Sequence, residues 1–219
     1  MREELDKLLC EKYPAMMVNR HGAVTETCMC WGFECGDGWF NILNQLMGNI
    51  QHHIDWKNKQ RDLIIRFNNI KQAGQSGNAE LFADLMAEEY GDKGLGEEYV
   101  KQRAETFMRE PLQPVPEEIK QVTVDQVKEK FGTLRFYYTG GDEYIRGMVT
   151  MAESMSGTTC ESCGNPGERT GGGWIKTTCK PCEDNRAARY AAEMAKTTKK
   201  ENQNEINYQF IGEDTGHHD

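Results

Sequence analysis

Apolar residues recur every three to four positions along most of this chain and every second position along two shorter stretches. That pattern predicts helices interrupted by two extended segments. Leu5, Leu8 and Leu9 mark a short amphipathic helix over 2–12, ended by Pro14. Phe40, Leu43, Met47, Ile50, Ile54, Leu63, Phe67 and Ile70 carry the helical period over about 38–73. Gln45, Gln51, Lys57, Lys59 and Arg61 fill the wet side of that helix. Two further helices, about 78–90 and 96–109, are divided by Gly91, Gly94 and Gly96. Pro111, Pro114 and Pro116 then form a linker. Ile145, Met148, Val149, Ala152 and Met155 predict a helix over about 142–156, and a last one is expected over about 183–198.

The extended segments read differently. Residues 24–35 alternate small, sulfur and aromatic side chains (Thr25, Thr27, Cys28, Cys30, Trp31, Phe33, Cys35), which predicts extended chain or strand. Gly36-Asp37-Gly38 follows as a turn with Asp37 as helix N-cap. Val122, Val124 and Val127, then Leu134, Phe136 and Tyr138, predict a hairpin turning at Gly132-Thr133. Lys128, Lys130 and Arg135 would decorate its exposed side.

The strongest chemical signal is Cys160-x-x-Cys163 followed, after fifteen residues, by Cys179-x-x-Cys182. Two such knuckles place four thiolates around a tetrahedral ion, and thiolate softness selects zinc over magnesium or calcium. All four positions are protein sulfurs, so the site is closed to a catalytic water and reads as structural. The order of knuckle, hairpin and knuckle at a helix N-terminus is treble-clef-like. The expected fold class is therefore α+β. It comprises a mostly helical body with a small β-hairpin element over 1–157, including a helical insert at about 75–110. A treble-clef-like or zinc-ribbon module follows over 158–199, then a flexible tail over 200–219.

Composition narrows the function. The net charge is −9, which argues against binding a phosphate backbone with the whole surface. Residues 158–200 nonetheless hold eight basic and five acidic side chains. The opening Met-Arg-Glu-Glu-Leu-Asp lacks the apolar stretch of a signal peptide, and no run approaches the ~20 apolar residues of a membrane span. Eight cysteines in such a chain point to reduced thiols and metal, and to the cytoplasm.

Three segments carry a resemblance: Glu26-Thr-Cys-Met-Cys-Trp-Gly-Phe-Glu-Cys-Gly-Asp-Gly-Trp-Phe40, Val127-Lys-Glu-Lys-Phe-Gly-Thr-Leu-Arg-Phe-Tyr-Tyr138, and the cysteine module with Gly173-Trp-Ile-Lys-Thr-Thr-Cys179. In order and spacing, over about 10–185, the chain resembles a family of proteins encoded by tailed bacteriophages and prophages. The resemblance implies an accessory protein of the infected or lysogenic cell that carries a zinc-binding module.

Other motifs have ordinary readings beside functional ones. Gly140-Gly-Asp-Glu-Tyr144 is one residue from the signature of diguanylate cyclases, but the flanks do not fit, and Asp142 as N-cap explains it. Cys10, Cys28, Cys30 and Cys35, joined by His21, His52 or His53, could make a second metal site; packed thiols are the alternative. His52 and Asp55 share a helix face. Trp31, Trp39 and Trp56 read as core, whereas Trp174 reads as partly exposed. No Walker loop, HExxH, GxSxG or dinucleotide fingerprint is present.

Three functional readings follow. The first is a non-enzymatic protein that binds and modulates a host or phage macromolecule, with no membrane role. The second is nucleic-acid binding through Arg169, Lys176, Lys180, Arg186 and Arg189 of the zinc module. The third is an enzyme or small-ligand binder built around Cys28, Asp37, His52 and Asp142.

Overall fold

Helix α2, Phe40–Gln75, organises the molecule. At about 1.5 Å per residue it is roughly 54 Å long, enough to serve two separate cores. Its first half buries Leu43, Leu46, Met47, Ile50 and Ile54 in the main core. Its second half places Ile70 in a smaller cluster with Met86, Tyr90 and Phe107. The structure, a computed structural model, describes residues 1–91, 93–171 and 174–212, with side chains through Thr197.

Six helices and two small sheets are present among the described residues. Helix α1 is Glu3–Lys12. Helices α3, Ala79–Tyr90, and α4, Glu97–Arg109, pack on the far end of α2. Strand β1 is only Phe33–Glu34 and lies parallel to β2, Thr123–Lys130. Strand β3, Thr133–Thr139, pairs antiparallel with β2, with a bulge between Val124 and Gln126. Val124, Val127, Leu134 and Phe136 face the main core, where α5, Glu143–Ser156, adds Ile145, Val149 and Ala152. Strands β4, Glu168–Thr170, and β5, Lys176–Thr178, form the second sheet, and α6 runs Lys180–Gly212.

Several expectations need correction. Of residues 24–35, only Phe33–Glu34 is strand. Cys28–Trp31 is a 3-10 turn capped by Thr27, whose side chain accepts from the Met29 N–H. The Asp6 carboxylate enters from α1, taking the Phe33 N–H at 3.1 Å and the Arg20 guanidinium at 3.0 Å. These tertiary bonds outweigh the alternation. Asp37 is not the N-cap of α2: Trp39 occupies that position, and the Asp37 carboxylate pairs with Arg2. The proline segment after α4 is a strap along α2. The Asn58 amide bonds both the N–H and the carbonyl of Ile119, and Asn68 does the same for Gln113. Lys71, buried in α2, donates to the Pro111 carbonyl and pairs with Glu110. The last helix starts at Lys180 and continues beyond 199, so the first part of the expected tail has helical backbone. Gly172, Gly173 and residues 213–219, including His217 and His218, lie outside the described residues.

The hairpin turn also sits one residue earlier than expected, at Phe131-Gly132. Both residues have positive φ, 54° and 79°. That matches the right-handed twist of the strands, but a phenylalanine there costs about 1–2 kcal/mol. The turn is held from outside. Glu129 accepts the Gly132 N–H at 2.6 Å, Arg169 donates to the Phe131 carbonyl at 2.6 Å, and the Thr177 hydroxyl donates to the Gly132 carbonyl.

Candidate metal centre

The first knuckle is a turn in which the Gly164 N–H returns to the Cys160 carbonyl at 2.9 Å, with Gly164 at φ 79°. The pairing of β4 with β5 then brings the chain back, and the Glu161 N–H bonds the Thr177 carbonyl at 2.9 Å. Cys179 immediately precedes α6 and Cys182 lies in its first turn. The sulfurs of Cys160, Cys163, Cys179 and Cys182 all lie within 4.8 Å of one another. Among the described residues no other group of three or more Cys, His, Asp or Glu side chains comes together in this way.

Distance and chemistry both fit a metal ion. The Cys163 and Cys179 sulfurs are 3.6 Å apart, too far for a disulfide of about 2.05 Å. Corners of a tetrahedron with metal–sulfur bonds of about 2.3 Å are roughly 3.8 Å apart. Burial opposes ionisation of Cys160, but N–H groups of Cys179, Cys163 and Ser162 directed at its sulfur outweigh that and bring its pKa down to about 7. Cys182 is pushed up to about 12, first by thiol hydrogen bonding with Cys179 and Cys163. Four thiols so crowded cannot all ionise without a cation among them.

This centre is fused to the body. The Gly36 N–H donates to the Glu161 carboxylate at 3.0 Å, and the Gly38 N–H to the Glu161 carbonyl at 2.8 Å. The Trp39 indole, fully buried, donates to the Thr159 carbonyl at 2.8 Å. A Cβ on Gly38 would lie 2.2 Å from the Cys160 carbonyl oxygen. The two glycines around Asp37 therefore permit the knuckle to touch the main chain, a role beyond turn-making. Glu161 is buried and is balanced by Lys176 at 3.1 Å.

The four N-terminal cysteines do not converge. Cys10 bonds the Asp6 carboxylate, Cys30 bonds the Thr27 carbonyl, Cys28 is exposed and Cys35 is buried. Burial pushes the Cys35 thiol up to about 12; burial, then Asp6, raises Cys10 to about 11. Both are packed thiols.

The structure does bring His52 and Asp142 to one place, a cleft of ≈ 650 Å³ between α2 and α5. Neither Cys28 nor Asp37 lines it. The residue bonded to Asp142 is His53, at 2.9 Å, with its ring stacked on Tyr144. Helical spacing paired His52 with Asp55, but Asp55 takes the Gln51 amide instead. Only the tertiary approach of α5 reveals the His53 contact. Asp142 also accepts the Ile145 N–H, so it is the N-cap that its position predicted. Trp39 is core, but Trp31 and Trp56 are exposed; Trp174 is 73% exposed.

Of the five basic residues assigned to a nucleic-acid surface, three are tied to carboxylates: Lys176 to Glu161, Lys180 to Asp184 and Arg186 to Glu183. Arg169 is held at the hairpin turn. No helix among the described residues is long and apolar enough to cross a membrane. Comparison with protein-family models, with curated proteins and with solved structures gives no match.

Proposed function

We propose that this chain is a non-enzymatic binding protein whose treble-clef-like C-terminal module is held by one structural zinc ion. The observation that carries the reading is the closed quartet of Cys160, Cys163, Cys179 and Cys182. Soft sulfur donors at tetrahedral spacing select zinc, and a shell filled by four protein sulfurs leaves no position for substrate or activated water. The metal then fixes the knuckle against Gly36–Trp39 and the β4–β5 hairpin against the Phe131-Gly132 turn. Its work is to build a surface. That role accords with a phage or prophage accessory protein acting in the bacterial cytoplasm on a host or phage macromolecule.

Native mass spectrometry beside the denatured mass tests the metal assignment. One zinc per chain is expected, and Cys160→Ser should lose it together with the fold of the module, because metal binding and folding are coupled in such units. Stoichiometric zinc retained by that variant refutes the site. A second metal, or turnover of a nucleotide or nucleic acid that depends on a residue of the α2–α5 cleft, refutes the non-enzymatic reading.

A further inference from the structure

The protein is acidic, yet four cations cluster on one face without a carboxylate partner among the described residues. Lys128, Lys130 and Arg135 stand on the outer face of the β2–β3 hairpin, opposite the buried row of Val127, Leu134 and Phe136. Lys128 is in register with Arg135, and Lys130 with Thr133. Arg169 reaches the same end from β4 through the Phe131 carbonyl. Their polar contacts are neutral: Arg135 donates to the Thr133 hydroxyl and the Leu134 carbonyl. The nearest acid in register is Glu34 of β1, whose carboxylate accepts from the Gln126 amide.

Aromatic rings alternate with these charges. Tyr137 is 43% exposed and lies beneath the Lys128 ammonium, 5.2 Å from its ring centroid. Phe131 is 61% exposed, with Lys130 5.6 Å from its centroid. Trp174 stands in the β4–β5 hairpin that grips the turn. Phe131 is the one described non-glycine residue with positive φ. A large apolar ring, strained and held out in water by the zinc module, has no packing role that accounts for it. A strip of cations and exposed rings is the chemistry that binds a single strand: phosphates pair with the cations and bases stack on the rings.

We infer that the outer face of the β2–β3 hairpin, extended by Arg169 and Trp174, binds single-stranded nucleic acid. Phe131 to Tyr137 spans roughly 20 Å of strand, room for several nucleotides. Nothing on the strip reads bases by a fixed donor–acceptor pattern, so binding is tolerant of sequence. The inference rests on the binding-protein reading above and names the partner's chemical class.

Fluorescence anisotropy with oligothymidylate and oligouridylate of about 15 nucleotides tests it on the full chain. Four phosphate contacts give a log–log salt slope near −3, so affinity should fall roughly fifty-fold between about 50 and 200 mM salt. Phe131→Gly relieves the left-handed strain, so its melting temperature should hold or rise while affinity falls about tenfold at unchanged slope. Lys130→Gln should instead flatten the slope by about 0.7. The ratio of the two oligonucleotides distinguishes DNA from RNA. Absence of saturable binding to both at low salt overturns the inference. So does polyglutamate binding with equal affinity and indifference to Phe131→Gly, which would mark a docking face for an acidic protein. Either failure leaves the zinc count untouched, and a chain without zinc that still binds would refute the metal reading alone.

Discussion

Asp142 shows how one side chain can serve two elements. One carboxylate oxygen accepts the Ile145 N–H at 3.0 Å and caps α5; the other meets His53 of α2 at 2.9 Å. Burial opposes the charged form, but the bonds from His53 and the Ile145 N–H outweigh it, so the carboxyl titrates below 3.8. An asparagine in its place would keep the cap, since asparagine caps as well as aspartate, and would lose the charge-assisted bond. Asp142→Asn should therefore cost about 0.5–1 kcal/mol near neutral pH, at the low end because the side chain is a third exposed. A carboxyl whose folded pKa is depressed stabilises fully above its unfolded value and loses that contribution as pH falls through the folded one. Urea titrations should accordingly show the wild-type advantage shrinking as the pH falls through the folded pKa of this carboxyl, which lies below 3.8. An advantage unchanged through the acid limb would mean that the charge contributes nothing.

The strap over α2 is the corresponding case for elements. Proline-rich chain supplies few N–H donors of its own, so it lies still only if something bonds it from outside. Asn58 and Asn68 each form a two-bond clasp to its backbone, and Arg61 and Lys71 hold the carbonyls of Pro116 and Pro111. Asn58→Ala and Asn68→Ala should each cost about 1–2 kcal/mol, with amide exchange accelerated at Ile119 and Gln113 respectively. Exchange left unchanged at those amides would show the strap to be held by its apolar contacts alone. The sequence showed the prolines but not the clasp, because Asn58 and Ile119 are far apart in the chain and their pairing has no local signature. The same contrast runs through the molecule. Helices α1 to α5 were legible to within two residues because each lays a periodic apolar stripe on a core. The convergence of Cys160, Cys163, Cys179 and Cys182 was legible because knuckle spacing is itself the geometry. Within residues 24–35 only Phe33–Glu34 is strand, because Thr27 caps a 3-10 turn over Cys28–Trp31 and Arg20, held by Asp6, takes the Cys30 carbonyl, contacts that the local alternation does not show. The left-handed Phe131 broke the expectation that glycine opens the turn, and only contact with β4 and β5 explains its position.

At the scale of the whole molecule, the metal module is structurally continuous with the body. Glu161, one residue beyond the first cysteine, receives the Gly36 and Gly38 amides, while the Thr159 carbonyl receives the Trp39 indole. Trp39 belongs to the same core as Leu43, Val127 and Ile145. Release of the ion should therefore loosen the knuckle and, with it, three bonds into that core. At about 1 kcal/mol each, and about 2–4 °C per kcal/mol for a chain of this size, the melting temperature should fall by roughly 10 °C after chelation. The optical readout is selective: Trp31, Trp56 and Trp174 are at least half exposed, so Trp39 supplies the blue component of the emission. Chelation should shift emission to the red in the wild type and leave Trp39→Phe, which lacks that component, nearly unchanged. If the metal served only its own small module, the chelated chain would lose metal while keeping both its melting temperature and its emission. If the ion instead locks one fold, the two changes arrive together, and grip on the Phe131-Gly132 turn through Arg169 and Thr177 is lost in the same step.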